Sequence, residues 1–261
     1  MADPLSLTAG KLADLEDCRR RYQLRYVARL AWPSATPNPE AEERLRLGQR
    51  FHELAQRHFL GLAVEAEAAE EPELARWWAR FKPFAAGLPA GERRPELGLA
   101  LTLDAVQLEG RFDLLILGEE RAWIYDWKTE ARPRSEAELR ADPQTRLYLA
   151  LAAEGLAGVG RAYRPEQISL TYWPASDPTA VVSLAYDRPA HEANWRALRE
   201  VAAELQARAA AEAIWPLTDD LAECRRCAYQ AYCGRGDGAP DLSRWLKDEP
   251  GEFALEPGLP R

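Results

Sequence analysis

The sequence predicts a mixed α/β fold, a central set of strands with helices before and after it. Three observations predict it. Apolar residues recur at helical spacing through the first third, while Leu97, Leu99, Leu101 and Leu103 switch to the period-two signature of a half-buried strand. Two Asp-led, proline-primed helix starts then follow, Asp142-Pro143 and Asp187-Arg188-Pro189. The length of 261 residues suits one large domain, or a core with a helical elaboration.

In chain order, Thr8 is the N-cap of a helix predicted to run to Arg29, with Leu12, Leu15, Tyr22 and Tyr26 on one side and Cys18 one turn before Tyr22. Trp32 to Pro39, with three prolines, reads as a linker. A second helix over Glu40–Leu60 turns Leu47, Phe51, Leu54 and Ala55 inward. After the acidic stretch Val64–Glu73 comes a helix around Trp77, Trp78 and Phe81, which Pro83 is expected to break. Strands follow from Glu96, over Glu109–Leu117 and over Arg121–Lys128. A helix runs from Asp142 through Ala153, a strand pair covers Ile168–Trp173 and Ala180–Tyr186, and a long helix reaches Ala213. Past Gly234 the chain is rich in Pro, Gly and acid and reads as a loose tail. The segments are therefore 1–30, 31–95, 96–215, 216–240 and 241–261.

The 42 acidic residues outnumber the 34 Lys+Arg, for a formal net charge of −8, which excludes coating nucleic acid by bulk charge but not a local basic track. No uncharged apolar run is long enough to span a bilayer; Leu147 to Gly160 is short and interrupted by Glu154. The first residues lack the basic-then-apolar order of a secretory signal, so a cytoplasmic protein is expected. In that compartment structural disulfides are disfavoured, and four cysteines point to a metal centre. Cys224-x2-Cys227-x5-Cys233 is compact, and Cys18 is the remaining donor. Spacing leaves Cys₄ zinc and a [4Fe–4S] cluster equally open.

The most informative stretch is Gly110-Arg111-Phe112-Asp113, followed by Asp126-Trp127-Lys128-Thr129. If the hairpin turns at Glu119-Glu120, Asp113 and Asp126 lie opposite each other, with Cβ atoms roughly 5 Å apart. Both can stay ionised only with a positive charge between them, and a divalent cation is the economical choice. Lys128, on the same face as Asp126, would orient or help deprotonate an attacking water, the equipment of metal-assisted phosphodiester hydrolysis. A plainer reading, solvated acids paired with Lys128, fits the spacing too. His52 taken alone is an ordinary helical histidine.

These residues bring the chain to a pattern that resembles the PD-(D/E)XK nuclease superfamily in its RecB-like branch. Ser6 through Cys18-Arg19-Arg20-Arg21-Tyr22 is similar to that branch's amino-terminal segment, and Gly48 to His52 to its G-x-x-x-H helix. Glu96 stands where an acid precedes the first core strand. Gly110–Asp113 matches G-x-x-D, Asp126–Lys128 matches (D/E)-x-K, and Gln144 with Tyr148 matches Q-x-x-x-Y. The resemblance implies a restriction-endonuclease-like core, a central mixed sheet flanked by helices. It also implies roles. His52, Asp113, Asp126 and the backbone carbonyl of Trp127 would bind Mg²⁺ or Mn²⁺, and Lys128 would be the catalytic lysine. Glu96 would be a water-mediated ligand or a structural acid, and Gln144 and Tyr148 would line the cleft or contact DNA. Phe112 replaces the proline of the family name.

A subset of this branch, including AddB-type helicase-nucleases and CRISPR-associated nucleases, places one cysteine upstream and three downstream of the nuclease motifs. The chain resembles that subset, which implies a [4Fe–4S] cluster on Cys18, Cys224, Cys227 and Cys233, stapling the carboxy-terminal segment to the first helix, with zinc as the alternative. Arg19, Arg20, Arg21, Arg25 and Arg29, then Arg132, Arg134, Arg140 and Arg146, are candidate phosphate contacts; Trp127 and Tyr148 are candidates for stacking on single-stranded bases. The expected function is a metal-dependent DNA nuclease, an exonuclease on single-stranded ends or overhangs, in repair, recombination or CRISPR adaptation. The alternatives are a DNA-binding or assembly subunit of a helicase-nuclease or CRISPR integration complex, and a zinc protein of unrelated function. No nucleotide-binding G-x-x-x-x-G-K-[ST] motif is present, so any unwinding would come from a helicase partner.

Overall fold

The computed structural model describes residues 5–30, 39–211 and 213–235. All of the expected linker except Pro39, and the expected tail from residue 236, lie outside the described residues.

The chain opens with a short strand the sequence did not announce, β1 (Leu5–Leu7), and then α1 (Ala9–Asp17), whose N-cap Thr8 accepts the Lys11 amide at 3.2 Å. The single helix expected to Arg29 is broken at Cys18, which is extended at φ −161°, ψ 112°. Beyond it come α2 (Arg19–Tyr22) and a π-helical turn over Gln23–Val27. The break is tertiary in origin. It lets the Arg20 amide reach the carbonyl of Pro216 at 3.1 Å and seats Arg21 among Asp14, Asp17 and Glu223.

Three helices follow, α3 (Pro39–Phe59), α4 (Glu65–Ala68) and α5 (Pro72–Ala86). Contrary to expectation, Pro83 does not end α5. The helix accepts the missing amide and continues one more turn, which keeps Phe84 and Ala85 against an aromatic cluster. In that cluster Phe51 stacks on Trp173 at 5.6 Å and meets Phe81, Trp77 and Trp78 edge-on, and Phe81 meets Trp127. Rings of this size bury large areas, and their mutual edge-to-face contacts anchor α3 and α5 to one face of the sheet.

The sheet contains β2 (Glu92–Leu103), β3 (Val106–Leu117), β4 (Ala122–Lys128), β5 (Ile168–Pro174) and β6 (Val182–Ala185), together with β1. Its order is β1-β3-β4-β5-β6, with β2 on the other edge of β3. Most pairs are antiparallel, but β1–β3 and β4–β5 are parallel, so this is a mixed sheet. The β3–β4 register is the expected one, Leu114 opposite Tyr125 and Leu117 opposite Ala122. Between β4 and β5 run α6 (Glu136–Ala141), opened by a Ser135–Glu138 capping box that was not among the expected caps, and α7 (Pro143–Gly155), capped by Asp142. The helix α8 (Arg188–Ala210) begins at the expected cap Asp187, and a short α9 (Leu221–Arg225) precedes the cysteine-rich end. Leu12, Leu15, Leu147, Leu151, Leu198 and Leu205 fill the core between the helices and the second face of the sheet. No helix among the described residues is long and apolar enough to cross a membrane.

Gly110 sets the closeness of α7 to β3. A Cβ there would lie 2.7 Å from Leu151 Cδ1 and 3.2 Å from two ring atoms of Tyr148, inside a packed core. Gly110→Ala should therefore cost about 1–3 kcal/mol by overpacking, read as a lower urea midpoint with unchanged m-value.

Candidate active site

Asp113 occupies the place where β3 changes partners. One edge of β3 pairs with β2 along almost its whole length; the other is shared, with β1 opposite Val106–Leu108 and β4 opposite Leu114–Leu117. Residues 109–113 fall in the interval. The β2–β3 ladder also lapses at this point, pairing Pro95 with Leu114 and Leu97 with Phe112 but skipping Glu96 and Asp113. Phe112 and Leu115 both face the α7 side while Leu114 faces the aromatic cluster, so the alternation of β3 slips by one residue at Asp113. Asp113 Oδ2 accepts the Trp127 amide at 2.6 Å, so a carboxylate receives the amide of β4 beyond its last β3 partner, Tyr125.

Three further groups converge on that fork. On α3, Gly48 lies so close to the end of β4 that a Cβ would come within 2.6 Å of Thr129 Oγ1. One turn later His52 places Nδ1 3.1 Å from Asp113 Oδ1. The glycine is what lets the histidine's helix approach. Glu96, expected ahead of the first core strand, instead lies inside β2, which starts at Glu92. It holds a left-handed φ of 53°, a strained conformation for a residue with a Cβ. Ligand atoms of His52, Glu96 and Asp113 lie within 4.8 Å of one another, the one such set among the described residues. Glu96 Oε2 also receives Arg111 Nε at 2.9 Å.

Asp126, Lys128 and Gln144 form a closed triangle beside this set. Lys128 Nζ stands 2.7 Å from Asp126 Oδ1 and donates to Gln144 Oε1 at 2.7 Å, while Gln144 Nε2 donates to Asp126 Oδ2 at 2.7 Å. The Asp142 cap holds the Gln144 amide at 2.7 Å, which fixes the start of α7. Beneath the ammonium lies the Tyr172 ring, 5.3 Å from Nζ.

The electrostatics separate the two aspartates. Burial pushes Asp113 up, but His52, the Trp127 amide and Lys128 outweigh it, leaving its pKa below the ordinary carboxylate value. Burial pushes Asp126 up to about 7; the Asp113 charge adds to this and Lys128 opposes it. For Lys128 burial acts downward, but Asp126 and Tyr172 more than reverse it, so the ammonium stays charged. Asp126 Oδ1 is buried, with the Lys128 ammonium 2.7 Å away as its charged partner. An imidazole and two carboxylates whose ligand atoms lie this close together have the donor types that fit a divalent cation held by His52, Glu96 and Asp113.

Several expected contacts are not found. Tyr148 is 3% exposed and meets the Phe112 ring edge-on at 5.0 Å, and Trp127 is buried in the aromatic cluster, so neither is open to stack on a base. Facing Gly110 explains the burial of Tyr148. Arg21 is 1% exposed, bridged to Asp14 and Asp17, and no phosphate contact. Arg19 pairs with Glu204 at 3.2 Å, Arg20 with Gln23, Arg25 with Asp14, Arg132 with Glu138, Arg134 with Asp142, Arg140 with Glu136 and Arg146 with Glu16. The basic track is thus largely compensated by neighbouring acids. Two residues near the site went without a role in the sequence reading, Arg111 and Thr129. The signal for Arg111 was its position two before Asp113 on the same strand.

The four cysteines are free thiols and line one cavity together with Arg21, Thr218, Glu223 and Tyr229. Their sulfurs are not gathered into a set within 4.8 Å, so the iron–sulfur staple expected from the sequence is not evident. Burial raises the Cys227 thiol to about 11 and also raises Cys233, a state that needs a bound cation before thiolates become favourable. What joins the two ends here is protein: Arg20 to Pro216, Tyr229 Oη to the Leu30 carbonyl at 3.0 Å, and Tyr22 stacked on Trp215 at 5.8 Å.

Residues 6–234 match the family model described as the PD-(D/E)XK nuclease superfamily. No curated protein matches the sequence. Among solved structures, the one described as "Crystal structure of SSO0001" is 13% identical, with 89% of this chain and 87% of that chain covered and a TM-score of 0.37.

Because the folded-state pKa of Asp126 is raised, its contribution to stability is present below the ordinary carboxylate range and lost as pH rises through about 7. A divalent cation requires the ionised form, so the sign reverses for metal binding. The rise in Tm on adding Mn²⁺ should be larger at about pH 8 than at about pH 6, and Asp126→Asn should flatten that difference.

Proposed function

The chain belongs to the PD-(D/E)XK nuclease superfamily, and from that premise we propose that it is a Mg²⁺- or Mn²⁺-dependent deoxyribonuclease acting on single-stranded ends or overhangs. The observation that carries the reading is the convergence of His52, Glu96, Asp113 and the Asp126–Lys128–Gln144 triangle on one fork of the sheet. A divalent cation bound there supplies Lewis acidity at the scissile phosphate and a water of lowered pKa. Each side chain then has a task that follows from its surroundings. His52 and the Trp127 amide keep Asp113 ionised and aimed at the fork, and the Trp127 carbonyl is the further main-chain ligand in this reading. Asp126 gives up its proton near neutral pH to complete the carboxylate set. Lys128 stays protonated, so it acts as a donor that orients the attacking water and steadies phosphate charge, not as its base. Gln144 holds Lys128 and Asp126 in one geometry.

The order of motifs resembles that of RecB-like nucleases, which supports strand ends as substrate and a setting in repair, recombination or CRISPR adaptation, with a helicase or integrase as partner. A [4Fe–4S] cluster on Cys18, Cys224, Cys227 and Cys233 belongs to the same reading. The shared cavity supports it. The cluster's part would be structural.

Asp126→Asn and Lys128→Ala should each lower Mn²⁺-dependent cleavage of end-labelled single-stranded DNA by more than about a hundredfold, with unchanged circular dichroism; wild-type-like cutting by either would refute the assignment. Anaerobically purified protein should carry iron, and Cys227→Ser should lose it together with several degrees of Tm. Zinc without iron would replace the cluster by a zinc site.

A further inference from the structure

The reading of a metal-dependent nuclease leaves Arg111 without a task, although it touches the site. Its Nε lies 2.9 Å from Glu96 Oε2, and Glu96 is a member of the His52–Glu96–Asp113 set. Three features set this ion pair apart from the other one in the site. The Lys128 ammonium is held by both Asp126 and Gln144 on a side chain 21% exposed, whereas the Arg111 side chain is 38% exposed. Its ladder partner on β2 is Gly98, which has no side chain, and the position a Cβ would take there is open space, so nothing from that strand position crowds the Arg111 stem. Glu96 is held in a left-handed backbone conformation that turns its carboxylate away from regular strand geometry toward His52 and Asp113.

Charge balance gives these observations a direction. When ionised, Glu96, Asp113 and Asp126 carry three negative charges, against two positive ones on Lys128 and Arg111. A divalent cation turns the local balance from one negative to one positive, and the single negative charge of a phosphodiester brings it to zero. One cation of the protein becomes redundant as a partner for the carboxylates and useful as a partner for the substrate. Arg111 is the one that can move.

We propose that Arg111 is a substrate-binding residue that occupies Glu96 until a divalent cation takes that carboxylate, and that the released guanidinium then clamps a phosphate of the DNA strand beside the scissile bond. Arginine suits the second role because its planar fork binds phosphate oxygens in pairs. The inference rests on the nuclease reading, and it makes metal binding and DNA binding respond to one side chain in opposite directions.

The test measures Mn²⁺ affinity by isothermal titration and steady-state cleavage of a single-stranded oligonucleotide, for the full chain and for Arg111→Ala, Arg111→Lys, Glu96→Gln and Glu96→Gln/Arg111→Ala. Arg111→Ala should bind Mn²⁺ about two- to fivefold more tightly, since an exposed ion pair no longer competes. It should also raise KM for DNA by about tenfold, with kcat changed much less. Arg111→Lys should restore much of the competition for Glu96 but less of the DNA affinity. In the Glu96→Gln background, removing Arg111 should leave Mn²⁺ affinity unchanged. Weaker or unaltered Mn²⁺ binding by Arg111→Ala would overturn the proposal, reducing Arg111 to a prop for Glu96, and so would an unaltered KM. Absence of Mn²⁺ binding by the unsubstituted chain would refute the nuclease reading itself, a result distinct from either.

Discussion

A β-strand has two hydrogen-bonding edges, and β3 divides one of them between two partners. β4 takes the half nearer the hairpin turn and β1 takes the opposite end. The interval between them cannot be closed by either neighbour, because β4 has diverged and β1 is only three residues long. Buried backbone groups in such a gap must find other partners. Asp113 meets part of that demand by receiving the Trp127 amide on a side-chain oxygen. The same substitution of carboxylate for ladder holds a negative charge at the fork, so the site follows from a defect in the sheet. The aromatic packing of α3 lies against one face of the sheet at this gap, and the close approach of α7 at Gly110 lies on the other.

With the fork in place, the remaining residues are constrained by charge. Two aspartates and a glutamate near one another in a partly dry cleft demand compensation, and the protein meets the demand piecemeal: imidazole and amide for Asp113, ammonium for Asp126, guanidinium for Glu96. The arrangement is well formed yet unequal. Asp113 is held in its ionised form, while burial and the neighbouring charge leave Asp126 reluctant to ionise. A pair of carboxylates in different protonation states is a common device for making a site responsive near neutral pH.

Much of this was legible in the sequence because it is local. The β3–β4 register follows from alternation on both sides of Gly118-Glu119-Glu120, and the caps at Thr8, Asp142 and Asp187 need only their own neighbours. What could not be read depends on distant partners. The pattern of Leu12, Leu15, Tyr22 and Tyr26 continues through Cys18, and the extended backbone there goes with contacts to distant residues such as Glu204 and Pro216. Arg21 looks like a surface cation until Asp14, Asp17 and Glu223 enclose it. Tyr148 looks available to a ligand until Gly110, nearly forty positions away, brings β3 under it. The left-handed Glu96 has no signature at all in one dimension, since the residue type argues against the conformation.

The protein contacts that join the two ends also bear on how the chain is made. Arg20, Gln23 and Leu30 are bound by Pro216, Ala213 and Tyr229, groups that leave the ribosome close to two hundred residues after them. During synthesis the segment 19–30 has at first only its contacts with residues before it, Arg21, Arg25 and Tyr26 with Asp14 and Tyr22 with the Ser6 carbonyl, and lacks those with the last elements. Contacts of such long sequence separation form late. The closure of the two ends is therefore among the contacts of longest sequence separation in the protein, and it completes a segment that Asp14 has already begun to organise.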